Sequence, residues 1–141
     1  MATYNKINQF VADICQKVHN LSTSQDSLKV ALTAAANAPV ATNTVLANLT
    51  EVSYTNLSAR TLTINASSQS SGTFKLVITD LVLTASGAVA TFRYVAIYND
   101  TPTSPADPLI AWYDYGANVT LANGDTFTLD FDATNGFFQI V

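Results

Sequence analysis

The apolar positions of this chain repeat with one period at its start and another through the rest. Ile7, Phe10, Val11, Ile14, Val18 and Leu21 fall at steps of three and four, one face of a helix, while Lys6, Asn8, Asp13 and Lys17 lie mostly elsewhere. The spacing predicts an amphipathic helix of roughly four turns within residues 1–21, closed by the polar run Ser22 to Ser27. The period then shortens to two. Leu28, Val30 and Leu32 alternate with Lys29 and Ala31, as in a half-buried strand. The small residues around Pro39 read as a loop or edge. Thr44 to Thr55 is ambiguous between a short helical turn and a strand, and its Val45, Leu46, Leu49 and Val52 fit a helical face slightly better.

From Arg60 onward branched and aromatic residues alternate with Thr. Gly72 suits a turn that needs positive φ, and Gly87 stands at the next corner. Pro102, Pro105 and Pro108 cannot donate ladder hydrogen bonds and so predict an exposed loop. Asn123-Gly124 suits a tight turn between two further runs. The pattern predicts a single domain over residues 1–141, with an N-terminal helix in 1–21 and a β-rich body in 27–141. The fold class is mainly β, an antiparallel sandwich or barrel of about seven to eight strands with turn signals about every ten residues.

Composition narrows the partners. Of 141 residues, 48% are hydrophobic and only 11% charged, so the polar surface rests on Thr, Ser and Asn and favours contact with other proteins. The net charge is −4, and the six Lys and Arg are scattered, which leaves no basic stripe for nucleic acid. No run of about twenty apolar residues predicts a membrane span, and the N-terminus has no run of signal-peptide length. The one cysteine, Cys15, sits in the apolar-periodic segment, where a buried or partly buried thiol is expected.

Chemistry is sparse. The one histidine, His19, falls at the end of the expected helix, where an interaction with the helix dipole or with water is the ordinary role. Cys15 and His19, four residues apart, make only half of a structural zinc site. Asp130 and Asp132 point to one side of a strand, and Asp114 and Asp125 come near them if the two runs pair. A calcium site or a glycosidase pair could use such groups, but no calcium-loop pattern is present and a solvated acidic face is the simpler reading. The glycines are too dispersed for a phosphate loop. The expectation is no enzyme, no metal and no cofactor.

Residues Tyr4 to Thr33, "YNKINQFVADICQKVHNLSTSQDSLKVALT", followed by "APVATNTVLANLTEVS", resemble small virion structural proteins of tailed bacteriophages. The second half, including "TFKLVITDLVLTASGAVATFRYVAIYND" and "VTLANGDTFTLDFDATNG", resembles the same group. The resemblance covers most of the chain through overall phrasing, without a diagnostic motif. It implies a capsid decoration (cement) protein on the virion surface, made in the bacterial host cytoplasm, with the major capsid protein as partner and self-association open. A tail or head-to-tail connector subunit is the alternative within virions, and a carbohydrate-binding module using Trp112, Tyr113 and Tyr115 is the one outside them. The helix then serves either as a cover for the sheet, the favoured reading because its apolar stripe is wide, or as a docking arm.

One stretch carries both aromatics and acids. In Leu109 to Tyr115, Ile110, Trp112 and Asp114 share one strand face, and Leu109, Ala111, Tyr113 and Tyr115 the other. In the run that follows the Asn-Gly turn, Phe127, Leu129 and Phe131 oppose Thr126, Thr128, Asp130 and Asp132. The two runs are expected to form a hairpin. Trp112 and Tyr113 cannot both point inward, so one is exposed or covered by the helix or a partner. The residues expected to touch a protein partner are therefore Pro102, Pro105, Pro108, Trp112 and Tyr113.

Overall fold

Ten strands, all in antiparallel pairs, and one short α-helix make up the computed structural model, which describes residues 2–141. In chain order these are β1 (Thr3–Lys6), α1 (Asn8–Cys15), β2 (Leu28–Thr33), β3 (Thr61–Leu62), β4 (Ile64–Ser70), β5 (Thr73–Ile78), β6 (Leu81–Thr84), β7 (Phe92–Asn99), β8 (Leu109–Val119), β9 (Thr126–Leu129) and β10 (Phe138–Ile140). A five-stranded sheet runs β1-β8-β7-β2-β3; a second is β10-β5-β4; a third is β6-β9. The mainly β class with one N-terminal helix is as the alternation predicts. All three sheets are open.

The two small sheets are halves of one interrupted ladder. β5 runs into β6 through Thr79 and Asp80, and β9 runs into β10 through the turn at Asp132–Asn135. That turn ends at Gly136, whose φ of +83 is the left-handed region. A side chain there would also meet the Leu76 carbonyl oxygen at 2.7 Å. Val30, Leu32, Val95, Ile97 and Ala111 project from one face of the large sheet. They join Leu76, Ile78, Leu83, Leu129, Phe131 and Phe137 of the smaller layer in one buried cluster. Aromatic edges cross between the layers at Tyr113–Phe131, Tyr4–Phe137 and Phe92–Phe127.

The helix is shorter than its apolar spacing predicts, at eight residues. Ile7 already belongs to the entry from β1, its N–H bonded to Ile110 O. The helix ends because Lys17 takes φ +63, and the Val18 and Lys17 amides fold back onto the carbonyls of Asp13 and Ile14. Val18 and Leu21 thus follow the helix, and His19 sits in a loop and not at a helix terminus. Two burial expectations also fail here. Cys15 is exposed, on the outer side of the last turn, whereas Asp13, on the polar side of the expected stripe, is 2% exposed.

Two other expectations are corrected. The runs Leu109–Tyr115 and Thr126–Asp132 do not form a hairpin: β8 lies between β7 and β1, and β9 pairs with β6. The Asn123-Gly124 turn does form, closed by Asp125 N–H to Ala122 O. Gly124, at φ +89, and Asp125 then exchange hydrogen bonds with Ala85, a glycine-initiated bulge that aims β9 along β6. Pro108 is not part of an exposed loop. It is buried, accepts the Asn99 N–H and bridges to Val45. Pro105 is exposed and Pro102 half-buried.

β2 is buried on both faces, so its polar backbone must be satisfied along both edges. β7 takes one edge along its full length. The other is a patchwork. β3 pairs Leu28 and Lys29, and Glu51 bridges Thr33 while the Val52 N–H bonds Leu32 O. In between, Val30 exchanges bonds with Arg60, its N–H to the Arg60 carbonyl and its own carbonyl to the guanidinium, and the Leu32 N–H donates to the Tyr54 hydroxyl. Tyr54 in turn donates to Glu51 and lies under the Arg60 guanidinium at 3.4 Å from the ring centroid. Burial and the Glu51 bond push the Tyr54 hydroxyl well above its usual range.

The segment between the Val45–Pro108 and Glu51–Thr33 bridges crosses the outer face of the sheet, which carries the buried Ala31, Ala96 and Ile110. The ambiguous Thr44–Thr55 stretch is thus a short 3-10 turn at Leu46–Asn48 followed by extended chain. The Asn48 side chain accepts the Thr44 and Val45 amides. Replacing Tyr54 by Phe leaves the Leu32 amide without its acceptor. The variant is expected to lose about 1–3 kcal/mol, read as a lower urea midpoint at unchanged m-value.

Candidate functional site

The acidic residues that stand among aromatics are used by the fold. Asp114 forms a two-bond ion pair with Arg93, at 2.8 and 2.9 Å, and accepts the Gly116 N–H. The Arg93 bond, aided by the Gly116 amide, holds its carboxyl below the usual range. Asp125 accepts the Ala122 N–H and Asp80 the Phe131 N–H. Asp132 caps its own turn through the amides of Asn135 and Thr134, which lower its carboxyl in the same way. Asp130 is exposed, as alternation predicts. Among the described residues no three His, Cys, Asp or Glu side chains lie together as a metal would need.

The expected contact residues do not share one surface. Trp112 and Tyr113 are both half-buried but on opposite faces of β8, Trp112 in register with Asn5 and Ala96, Tyr113 with Tyr4 and Val95. Tyr113 lies edge-on to Tyr4 at 5.6 Å, and burial together with the Tyr4 neighbour pushes its hydroxyl well up. Tyr113, Tyr115 and Phe127 line a groove of about 640 Å³ with Asp130 at its rim, and Tyr115 is 51% exposed there. Pro102 belongs to a different cavity, at the far end of the sheet.

That cavity is part of a larger feature that alternation alone does not reveal. β1 is an outer strand of the large sheet and β10 an outer strand of the smaller layer. A groove of about 440 Å³ runs between them, lined by Tyr4, Lys6, Phe10, Val11, Phe138 and Gln139 among others. A second, of about 610 Å³, continues past the helix end to Lys17, His19, Asp26, Phe74 and Pro102. Ile14, Phe138 and Ile140 line both, so the two form one trough. Tyr4, Val11 and Ile140, at 38, 50 and 45% exposed, are large apolar side chains left open along it. Two signals were hidden in the sequence: β1 is too short to show alternation, and Val11 falls on the nominally buried helical stripe.

A buried polar cluster backs the second groove. Asn99, fully buried, donates through Nδ2 to His19 Nδ1 at 3.0 Å and to Asp26, and its Oδ1 accepts the Thr101 N–H. The Thr101 bond fixes the amide's orientation, so His19 Nδ1 is the acceptor and the neutral ring carries its proton on Nε2. Nε2 stands 4.0 Å from Asp13 Oδ2, too far for a hydrogen bond, and neither atom has another partner. Asp13 Oδ1 accepts from Gln9 at 2.9 Å.

Comparison with protein-family models, with curated proteins and with solved structures finds no match to this chain.

The cluster gives stability a pH dependence. Burial lowers the His19 pKa in the folded chain, and the opposing charges of Asp13 and Asp26 do not outweigh it. The folded value therefore lies below the unfolded one, near 6.5, and the unfolded chain binds protons first as pH falls. Stability is full above that pH and is lost as pH drops through the folded value. The urea midpoint is expected to be lower at pH 5.5 than at pH 7.5, and His19→Gln is expected to flatten that difference.

Proposed function

We propose that this chain is a non-enzymatic virion structural protein of a tailed bacteriophage, a decoration protein that binds the head shell through the major capsid protein. The resemblance of the sequence to that group supplies the class. The observation that supports it is the collection of Tyr4, Val11 and Ile140 along one trough of an otherwise weakly charged surface. Apolar side chains gathered at one place mark a contact surface, and a surface of Thr, Ser and Asn around them loses little on desolvation. Repetition over a lattice turns weak contacts into firm attachment. The half-buried Pro102 lines one end of the trough and extends the same surface.

The aromatic groove at Tyr113, Tyr115 and Phe127 favours a second reading, a carbohydrate-binding module, because open rings beside a carboxylate suit a sugar face. Trp112 is on the other side of β8, so the platform would be Tyr115 with Phe127 rather than the three consecutive aromatics.

Adding purified protein to undecorated tailed-phage capsids is expected to give saturable binding at lattice stoichiometry, weakened at least tenfold by Val11→Arg. Rings or tubes formed without shells would instead indicate a connector. Glycan-array binding that Tyr115→Ala abolishes would indicate the sugar module.

A further inference from the structure

We propose that the trough between β1 and β10 receives an extended segment of a partner protein, with alternating apolar and acidic side chains, as an added strand along β1. This deepens the decoration reading by naming the mode of docking, and its main argument is the backbone. Ile7 N–H bonds Ile110 O in register with β1 on β8, so in alternating order Thr3 and Asn5 turn their amides and carbonyls toward β8. Those of Tyr4 and Lys6 turn outward, and among the described residues no strand lies beside them. Across the trough the outer edge of β10 is likewise without a neighbour. A groove flanked by two unpaired strand edges offers hydrogen bonds at the spacing of extended main chain, which is a polypeptide's chemistry and not a sugar's or a nucleotide's.

The side chains choose among polypeptides. The floor is Phe10, Ile14 and Phe138, with Val11 and Ile140 open above it, so every second side chain of an added strand meets apolar surface. The charged groups along the trough are Lys6, Lys17 and Asp26. Asp26 is already engaged by the Asn20 amide and by Asn99, whereas Lys6 and Lys17 are both exposed and, among the described residues, have no carboxylate within ion-pair distance. In a chain of net charge −4 this is a locally basic rim. It favours acidic residues on the outer side of the incoming strand and opposes a basic one.

The test uses the whole chain and a fluorescent eight-residue peptide alternating Val and Glu. Three controls accompany it: a Val-Lys peptide, the Val-Glu peptide N-methylated at alternate residues, and the Val11→Arg and Lys6→Glu variants. Both altered side chains are exposed, so folding is checked by the thermal transition. Anisotropy is expected to show saturable binding of the Val-Glu peptide. N-methylation in the register that blocks pairing and Val11→Arg should each weaken it at least tenfold, Lys6→Glu should weaken it severalfold, and the Val-Lys peptide should not bind. Equal binding of the methylated peptide, or binding indifferent to Val11→Arg, overturns the proposal. So does self-association of the free chain that Val11→Arg abolishes, since the occupant is then a second copy. Peptide binding without capsid binding supports the trough and sinks the decoration reading. Capsid binding without peptide binding overturns the trough alone.

Discussion

A strand that is covered on both faces has nowhere to send its polar backbone except sideways, and β2 imposes that condition on everything around it. One side is met by a full partner, β7. The other is met piecemeal by β3, by the Glu51–Val52 stretch and by two side chains, Arg60 and Tyr54. To deliver those pieces the chain must leave β2 at Thr33, pass beside Pro108 and return to the opposite edge, and that path carries it over Ala31 and Ala96. The same requirement explains why Pro108 is buried: it is an anchor of the crossing chain, bonded to Asn99 on one side and bridged to Val45 on the other.

How much of this was legible depended on whether the deciding signal was local. Alternation in Phe127, Leu129 and Phe131 against Thr126, Thr128, Asp130 and Asp132 sorted β9 and its extension correctly, because a strand with one buried face writes that pattern directly. The helix end was not legible. A left-handed cap normally announces itself with Gly, and here Lys17 fills the position, so the apolar spacing ran on past the true end. Pairing partners were not legible either. Asn123-Gly124 marks a turn, but whether the outgoing strand returns to β8 or turns to β6 is decided by the bulge opposite Ala85, a contact almost forty residues away in the chain. Strands of two to four residues, such as β1, β3 and β10, are too short to write any period, so alternation alone marks fewer strands than the ten that form.

The candidate site shows the same division. Of the acids among aromatics, Asp114, Asp125 and Asp132 are committed to Arg93 or to turn amides while Asp130 stays exposed, and the aromatics beside them divide between opposite faces of β8. What the fold places at the surface instead is a boundary between layers, made of residues far apart in the chain. Tyr4 and Ile140 meet there only because the first and last strands both end up as edges. The polar cluster behind it draws on three segments, with Asp13 from the helix, His19 and Asp26 from the loop that follows it, and Asn99 from β7. Neither could be assembled from spacing. Both place an open apolar trough and a buried titratable group next to each other at one end of the molecule.

The interruption between β9 and β10 has a dynamic consequence. The β6–β9 half of the ladder and the β5–β10 half are hydrogen-bonded independently, with the Asp132–Asn135 turn between them. β10 is held by three residues to β5, so it is able to open without unzipping β9, and amide exchange in the two halves is free to follow separate clocks. Opening of β10 also lifts Phe138 away from Phe10 and Phe74, loosening the helix and the start of β5 together. A short strand held apart from the rest of its layer thus borders the trough, and that side of the molecule is able to open locally while the core stays closed.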